Sequence, residues 1–297
     1  MKKERQDVIK AGDVIGGRYK IIKKIGQGGM SDIYLASDNQ EGIYRAVKIL
    51  RKTEGIVNRG IYRNVFVSEV NMMKHCVHPA FPKIIDNFED DSYIIVMEYI
   101  EGESLDKVIL RKGGQSEEKV IAWAKQLCYL LDYLHQQNPP VIYRDMKPSN
   151  IILESNGTLH LVDFGAARIY KTDGITDTMI FGTRGYASPE QHCLRQTDCR
   201  ADLFSLGMTL HHLLTGIDPR SSGYMYASVR NWNLNLSKRI EEIVDKCTAI
   251  DPEDRYQNCN ELLYDLEHIK DPENIFLEKG KKTWRMFRHM YQQLFLG

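Results

Sequence analysis

Short apolar runs separated by turn residues make up most of the first third of the chain. Valine, isoleucine, tyrosine and phenylalanine are frequent in these runs, and such runs bounded by Gly, Asn and Asp indicate β-strands joined by hairpins. Strands are predicted at Arg18–Ile22, Ile33–Ala36, Tyr44–Leu50, Ile84–Phe88 and Tyr93–Met97. One helix is predicted over Tyr62–Cys76, ending before Pro79 because proline disfavours helical backbone in the residue that precedes it.

After Gly102 the apolar residues recur at helical spacing instead. The segment Glu117–Gln136 carries a broad apolar stripe, which is typical of a helix with one buried face. The stripe consists of Val120, Trp123, Ala124, Leu127, Leu130, Leu131 and Leu134. Further helices are predicted over Ala201–Leu214, Ser237–Cys247 and Asn260–Ile269, and a strand over Leu159–Val162. A strand-rich part followed by a helix-rich part indicates an α+β chain with a small β-rich lobe, a larger helical lobe and a cleft between them.

Composition narrows the classes of function. The chain has 297 residues, with 40 Lys plus Arg and 40 Asp plus Glu, so its formal net charge is zero. A nucleic-acid binder usually shows a strong basic excess, so no nucleic-acid partner is expected. Met1–Arg5 lacks the apolar stretch of a secretory signal behind it. No apolar run approaches the roughly 20 residues that span a bilayer. We therefore expect a soluble, cytoplasmic chain.

The six cysteines form no C-x-x-C pair and mostly lie among apolar neighbours, which indicates buried free thiols in a reducing compartment. A zinc site built from His75, Cys76 and His78 is conceivable. It lacks a second ligand pair at finger spacing, so ordinary structural roles for these residues are the better interpretation.

The first stretch with candidate chemistry is the glycine cluster at Gly26–Ile33. Glycines at Gly26 and Gly28 let the backbone approach phosphate oxygens without a clash from Cβ. No G-K-[ST] follows, so the cluster is not a Walker A loop, and taken alone it is better interpreted as a glycine-rich hairpin turn.

Lys48 is the second candidate, because Ala46-Val47 and Ile49-Leu50 flank it on an apolar strand. A lysine buried there is costly unless its ammonium is paired. Phosphates and a carboxylate on the following helix would pair it, and Glu69 is the candidate for that carboxylate. Taken by itself, Glu69 reads more simply as a solvated helix charge.

Two further motifs follow in the second half of the chain. In Tyr143–Asn150, Asp145 can accept a hydroxyl proton, Lys147 can neutralise phosphate charge, and Asn150 offers a hard oxygen ligand for Mg²⁺. In Asp163-Phe164-Gly165, Asp163 can bridge a metal ion to phosphates. A lone D-F-G arises often by chance, so the interpretation depends on all of these motifs occurring together.

In this order and spacing the motifs resemble those of the Hanks-type protein kinases, specifically the bacterial serine/threonine branch, for which the Gly-Gly-Met stretch is typical. The remaining matching motifs are Met97-Glu98-Tyr99, Gly182-Thr183 and Ser188-Pro189-Glu190. The resemblance covers roughly residues 16–270. It divides the chain into an extension (1–17), a smaller lobe (18–97), a hinge (98–103), a larger lobe (104–270) and a basic amphipathic tail (271–297).

The resemblance implies ATP- and Mg²⁺-dependent transfer of the γ-phosphoryl group to Ser and Thr hydroxyls of proteins, with Mn²⁺ as a second usable ion. It assigns Asp145, Lys147, Lys48 and Glu69 to catalysis, and Asn150 and Asp163 to the metal. Met97 takes the gatekeeper position, and the backbone of Glu98 and Ile100 is expected to bind adenine. The residues expected around the nucleotide are Ile25, Gly26, Gly28, Ile33, Ala46, Lys48, Met97, Glu98, Ile100, Ile152 and Val162.

The resemblance also implies structural partners and departs from the family at two positions. Glu190 is expected to pair with Arg255, and Asp202 to brace the loop that carries Asp145. Ser31 replaces the third loop glycine, and Tyr143 replaces the usual histidine before Arg-Asp. Tyr143 affects the expected packing more than the expected chemistry.

Regulation is expected through the stretch between Asp163 and Glu190. Arg144 beside Asp145 is typical of kinases controlled by phosphorylation there, because a buried arginine can hold a phosphate. Autophosphorylation is predicted at Thr176 or Thr178, with Thr172 as a third candidate.

The segment 279–297 carries Lys279, Lys281, Lys282, Arg285 and Arg288 and no acidic residue. Trp284, Phe287, Tyr291 and Leu294 recur in it at helical spacing. One interpretation is a basic amphipathic helix with weak contact to a membrane surface, leading to a segment outside this chain. The plainer interpretations are a helix packed on the larger lobe or a linker to another domain.

Two other classes of function stay open. A pseudokinase would keep the fold and bind partners without catalysis, although Lys48, Glu69, Asp145, Asn150 and Asp163 are all present. A small-molecule kinase of related fold generally lacks the Gly-Thr and Pro-Glu segment that this chain has. Homodimers through the smaller lobe occur in the bacterial branch, and nothing in the sequence demonstrates one here. The substrate and the activating signal cannot be read from the sequence.

Overall fold

The computed structural model describes residues 9–29, 31–50, 56–89, 92–170, 182–192, 196–221 and 227–270. The three threonines predicted as phosphorylation sites and the 271–297 tail lie outside these ranges. The chain divides into two compact units. The smaller comprises the residues up to Gly102 together with His160–Gly165, and the larger comprises Glu103–Leu159 and the residues from Ala166 onward.

The smaller unit is built on an antiparallel sheet of six strands in the order β1-β2-β3-β4-β6-β5. The strands are β1 Val14–Ile15, β2 Tyr19–Gln27, β3 Ser31–Asp38, β4 Tyr44–Leu50, β5 Ile84–Glu89 and β6 Tyr93–Glu98. The five predicted strands are confirmed. The two-residue strand β1 was not predicted, because so short a run has no periodicity to detect.

Helix α1 covers Ile56–His75 in the smaller unit. It begins six residues before the predicted start at Tyr62. The added segment holds three β-branched residues, an asparagine and Gly60, all of lower helix propensity than alanine or leucine, so local sequence argues against the helix that forms there.

The core of the smaller unit lies against one face of the sheet. Tyr19, Ile21, Val47 and Val96 are at most 2% exposed. Six of the seven residues of β4 are buried, which places Lys48 among apolar neighbours, as the sequence predicts. Lys48 lies in register with Ile33 of β3 and Ile95 of β6. The position of Lys48 is therefore set by backbone pairing on both sides.

The larger unit is mostly helical. Its helices are α2 Leu105–Lys112, α3 Glu117–His135, α4 Pro189–His192, α5 Cys199–Thr215, α6 Val229–Trp232, α7 Lys238–Cys247 and α8 Cys259–Glu267. The short strands in this part of the chain are β7 Glu103–Ser104, β8 Val141–Ile142, β9 Ile151–Leu153, β10 Leu159–Leu161 and β11 Arg168–Ile169. β7 pairs with β9 and β8 pairs with β11. The four predicted helices and the predicted strand at Leu159 are confirmed, with ends that differ by a few residues.

Helix α5 is the central element of the larger unit. Every residue from Ala201 to Leu214 is buried, as expected for a helix that is covered on all sides. Its first turn is capped by Asp198, whose side chain accepts a hydrogen bond from Arg200 N at 2.9 Å. α3 and α7 pack against α5, and α8 packs mainly against α3.

The expected ion pair between Glu190 and Arg255 is confirmed. Two guanidinium nitrogens of Arg255 donate to the two carboxylate oxygens of Glu190 at 2.7 and 2.9 Å. The Arg255 side chain is 0% exposed and also donates to the carbonyls of Ala249, Ile250 and Arg200. A buried charge with all of these partners is satisfied, and it ties α4 to the segment before α8.

The remaining sequence expectations concern cysteines, metal and membrane. The described cysteines are free thiols, of which Cys76, Cys128, Cys247 and Cys259 are buried. No group of metal-ligating side chains forms among the described residues, so a zinc site at His75, Cys76 and His78 is not formed. In the same part of the chain, no helix combines the length and apolar character that crossing a bilayer requires.

Candidate active site

Lys48 in the smaller unit lies between two carboxylates. Its Nζ donates to Glu69 Oε1 at 2.5 Å and to Asp163 Oδ1 at 2.9 Å. Glu69 is only 2% exposed, so the interpretation of Glu69 as a solvated helix charge is wrong. Strand β4 thus brings Lys48 together with Glu69 of helix α1 and with Asp163 of the segment after β10. Glu69 is 21 positions and Asp163 is 115 positions away from Lys48 in the sequence.

Burial and charge act in opposite directions on this cluster. Burial alone lowers the pKa of Lys48, but the nearby charges of Asp163 and Glu69 outweigh it, so the pKa of Lys48 is raised and its ammonium stays charged. Burial raises the pKa of Glu69, and the attraction of Lys48 opposes that effect. With both carboxylates ionised the cluster carries one excess negative charge, which favours a cation beside the half-exposed Asp163.

The residues after Asp163 hold it in place. Phe164 is 1% exposed, and its ring packs edge-on against the ring of Phe81, with centroids 5.1 Å apart. Gly165 N donates to Asp163 Oδ1 at 3.0 Å. A Cβ on Gly165 would lie 3.1 Å from Asp163 Oδ1 and 3.3 Å from Lys48 Nζ. Glycine is therefore the residue that lets the backbone pass this close to the ion cluster.

The larger unit holds a second cluster of polar groups, around Asp145. Asp145 Oδ1 accepts the hydroxyl hydrogen of Thr183 at 2.8 Å. Lys147 Nζ donates to Asp145 Oδ2 and to Thr183 Oγ1, each at 2.6 Å. The arrangement shows a carboxylate that accepts from a hydroxyl and an ammonium that touches the same hydroxyl oxygen. It fits a group that orients an alcohol and a cation that stabilises developing negative charge.

Asn150 is oriented by the same carboxylate. Its Nδ2 donates to Asp145 O and to Asp145 Oδ2, both at 3.0 Å. No donor among the described residues reaches Asn150 Oδ1. An amide whose nitrogen is held in this way presents its oxygen outward, and amide and carboxylate oxygens are the ligands that Mg²⁺ prefers. Asn150 in the larger unit and Asp163 in the smaller unit therefore each have donor chemistry that suits the ion assigned to them.

Asp202 on α5 holds the backbone of the loop that carries Asp145. Its Oδ2 accepts from Tyr143 N at 2.8 Å, and its Oδ1 accepts from Arg144 N at 2.6 Å, as the sequence predicts. Arg144 has φ +68°, a left-handed conformation that costs a non-glycine residue about 1–3 kcal/mol. Two bonds to a fully buried carboxylate offset that cost. Tyr143 itself is 0% exposed and fills the core.

The residues expected around adenine are split between the units. In the smaller unit, Ala46 and Met97 are neighbours in register on β4 and β6, and both are buried. Ile33 pairs with Gly26 across the hairpin, which Gly28 N closes by donating to Ser31 O at 2.8 Å. Ile25 and Ile33 are half-buried, as is Val162 after β10. Ile152 lies half-buried on β9 of the larger unit.

The backbone groups expected to bind adenine differ in availability. Glu98 N already donates to Lys83 O at 2.9 Å, so only the carbonyl of Glu98 could bind a base. The N–H of Ile100 has no acceptor in the described part of the chain. One acceptor and one donor two residues apart suit the edge of a purine.

Sequence reasoning missed the residues that support the site from behind. His135 at the end of α3 bonds Asp202 through Nε2 at 2.8 Å, and Gln191 Nε2 donates to Arg144 O at 3.0 Å. Phe81 was not singled out either. These three residues lie in sequence runs that look like ordinary helix or loop. For His135, the sequence offers a single indication of a role at the site, which is that a polar residue lies beside the apolar stripe of α3.

The family comparison matches residues 19–265 to the protein kinase domain model. The serine/threonine-protein kinase PrkC of Bacillus subtilis is 33% identical over 277 residues, which are 89% of this chain and 42% of that protein. The serine/threonine-protein kinase PknB of Mycobacterium tuberculosis is 31% identical over 278 residues, 87% of this chain and 44% of that protein. The chain thus spans about two fifths of the length of the curated relatives it matches.

A solved structure supports the same fold. A double mutant of the PknI kinase domain of Mycobacterium tuberculosis superposes with a TM-score of 0.71 at 22% identity, covering 88% of this chain and 99% of that one. At this identity the likeness concerns the fold alone.

Replacing Lys48 by methionine is expected to lower the free energy of unfolding by about 3–5 kcal/mol, because two carboxylates then lie together without their cation. Adding Glu69→Gln to Lys48→Met is expected to recover part of that loss, since it removes one of the two charges. Urea unfolding followed by circular dichroism measures both. The control is Arg63→Ala, which breaks an exposed ion pair with Glu89 in the same unit and should change the free energy of unfolding far less than Lys48→Met. Equal effects of Lys48→Met and Arg63→Ala would contradict the assignment.

Proposed function

This chain belongs to the protein kinase family, and we propose that it transfers the γ-phosphoryl group of ATP, in the presence of Mg²⁺, to serine and threonine hydroxyls of proteins. The observation that carries the proposal is the Asp145–Lys147–Thr183 cluster, in which a carboxylate and an ammonium already hold an alcohol oxygen. The named serine/threonine kinases PrkC and PknB support the same substrate class.

Each part of the proposed reaction has a candidate residue. Asp145 orients the acceptor hydroxyl and takes its proton, as its bond to the hydroxyl of Thr183 illustrates. Lys147 stabilises the charge that develops on the transferred group. Lys48, fixed by Glu69, is assigned to the α- and β-phosphates. Asn150 and Asp163 are assigned to Mg²⁺, which supplies charge neutralisation when bound, and Mn²⁺ is a second ion of suitable chemistry.

Positioning supplies most of the catalysis in phosphoryl transfer, because little covalent work is left to the protein. The smaller unit contributes by holding Lys48 between Glu69 and Asp163. The larger unit contributes through the Asp202 bonds that fix Tyr143 and Arg144 beside Asp145. A pseudokinase would not need Lys147 and Thr183 hydrogen-bonded to Asp145, so the active enzyme is the better proposal.

Asp145→Asn is expected to lower kcat about 10²- to 10⁴-fold while MgATP binding is retained, because the change removes a proton acceptor and keeps the side-chain shape. Radiolabel transfer to a generic protein substrate measures the rate, and calorimetry measures nucleotide binding. Glu118→Gln, an exposed change at the start of α3, is the control and should leave both unchanged.

Three outcomes of that experiment would replace the proposal. Wild-type protein that binds MgATP and transfers nothing is a pseudokinase. Wild-type protein that phosphorylates small alcohols and no protein is a small-molecule kinase. Wild-type protein without magnesium-dependent nucleotide binding is neither, and the proposal is then wrong.

Autophosphorylation between Tyr170 and Gly182 is part of the proposal. Burial lowers the pKa of Arg144 to about 10, with the charge of Asp202 opposing, and burial followed by the charge of Arg144 lowers the pKa of Arg168. The half-buried guanidinium of Arg168, whose charge is disfavoured by the buried Arg144, would gain from a nearby anion. A phosphate on a residue between Tyr170 and Gly182 is the anion that we expect these arginines to bind.

Incubation with Mg²⁺ and ATP is therefore expected to phosphorylate Thr176 or Thr178, with Thr172 as the third candidate. Phosphopeptide mass spectrometry on the protein identifies the site. Asp145→Asn protein treated in parallel is the control and should stay unmodified. Active wild-type protein without a modification between Tyr170 and Thr183 would contradict this part of the proposal.

Partners and location are proposed in less detail. Protein substrates follow from the family, and we propose a cytoplasmic location, where ATP is available. Dimerisation through the smaller lobe stays a prediction of the resemblance, since no described contact argues for it. Because the chain spans about two fifths of its relatives' length, substrates and partners of a longer protein are proposals as well.

The basic tail is proposed to contact anionic membrane surfaces weakly, since its five cations lie between aromatic and apolar residues. Flotation with vesicles containing phosphatidylserine is expected to carry part of the protein upward at low salt and none at high salt. The matched control is the same protein ending at Lys270. Equal behaviour of the two proteins would favour a tail packed on the larger lobe or a linker.

A further inference from the structure

Three hydrogen-bonded side chains lead from the start of α8 to the loop that carries Asp145. Cys259 Sγ lies 3.5 Å from His135 Nδ1, and His135 Nε2 lies 2.8 Å from Asp202 Oδ2. Asp202 in turn accepts from the backbone N–H groups of Tyr143 and Arg144. All of these residues belong to the larger unit. The chain of contacts ends one residue before Asp145.

The direction of each hydrogen bond follows from the chemistry of its partners. A carboxylate can only accept, so the proton in the His135–Asp202 bond is on Nε2 of the imidazole. Burial raises the pKa of the Cys259 thiol, so this group keeps its proton. The S–H can then donate to Nδ1 when that nitrogen carries a lone pair. In that tautomer the proton of the imidazole lies on the nitrogen that faces Asp202.

The position of Cys259 is fixed by the backbone around it. Cys259 is the first residue of α8, and Asn258 caps this helix by accepting from Glu261 N at 3.0 Å. Glu261 Oε2 accepts from Gln257 N at 3.0 Å, and Gln257 Nε2 donates to Arg255 O at 2.9 Å. Arg255 is itself tied to Glu190. The thiol therefore sits on a rigid segment and is only 2% exposed.

We propose that Cys259 is a positioning residue for the catalytic loop: its thiol selects the His135 tautomer that donates to Asp202, and Asp202 then holds Tyr143 and Arg144 so that Asp145 is correctly placed. Without the thiol, the imidazole is free to turn or to move its proton to Nδ1. In either case Asp202 Oδ2 loses a donor, and the left-handed conformation at Arg144 loses part of its support.

The alternative is that Cys259 only fills space between α3 and α8. Cys247 provides a matched comparison, because it is also a fully buried thiol, on α7, and among the described residues the thiol that is hydrogen-bonded to His135 is that of Cys259. A filler role predicts similar consequences for Cys259→Ala and Cys247→Ala. A positioning role predicts a difference between them that Cys259→Ser removes, since a hydroxyl can also donate to Nδ1.

The direct test is nuclear magnetic resonance of labelled wild-type, Cys259→Ala, Cys259→Ser and Cys247→Ala proteins. Long-range proton–nitrogen correlation spectra should show a neutral His135 with its proton on Nε2 in the wild type, Cys259→Ser and Cys247→Ala. In Cys259→Ala a second form should be present. Amide exchange of Tyr143 and Arg144 should be faster only in Cys259→Ala.

The kinetic test rests on the proposed function, whereas the spectra do not, so the two can fail separately. Cys259→Ala is expected to lower kcat about three- to tenfold at unchanged KM for ATP, because small displacements of a reacting group are costly. Cys259→Ser and Cys247→Ala should stay within about twofold of wild type. A doubly protonated His135 in the wild type, or equal exchange and kcat in Cys259→Ala and Cys247→Ala, would overturn the proposal.

Discussion

The burial of the Lys48 ammonium between two carboxylates is the constraint on which the smaller unit depends. A charge in that position is tolerated only with partners at hydrogen-bond distance, and Glu69 and Asp163 provide them at 2.5 and 2.9 Å. Helix α1 and the segment after β10 are consequently tied to β4. The requirement also explains Gly165, because a side chain there would crowd the ion cluster. Electrostatics and packing thus select the same arrangement.

In the larger unit the buried charge that needs hydrogen-bond partners is negative. Asp202 is fully buried on α5 and is satisfied by two backbone N–H groups and one imidazole. These bonds support a left-handed residue immediately before Asp145. Arg255 and Glu190 form a second buried pair in this unit. In both units, therefore, a buried charge on a rigid element determines where a reactive side chain lies, and reactive geometry and stability share the same contacts.

Most of the fold could be predicted from the sequence, because apolar periodicity reports directly which face of an element is buried. The strands around Lys48 and the helices α3, α5, α7 and α8 were predicted in this way. The pattern failed at β1, which is too short to show a period, and at the start of α1, where residues of low helix propensity are helical in the folded chain. At the site, the polar residues that belong to ordered motifs were identified from the sequence. The pair of Glu190 with Arg255 and the support of the Asp145 loop by Asp202 were also predicted correctly.

The sequence by itself determined the classes of element, the order of the chemical motifs and the family to which the chain belongs. Only the tertiary structure decided the polar contacts that no motif predicts: Asp163 with Lys48, Thr183 with Lys147, His135 with Asp202, and Cys259 with His135. The physical reason is that hydrophobic periodicity is a local property that neighbouring residues impose on one element. A hydrogen bond between residues 124 positions apart depends on how separate elements pack.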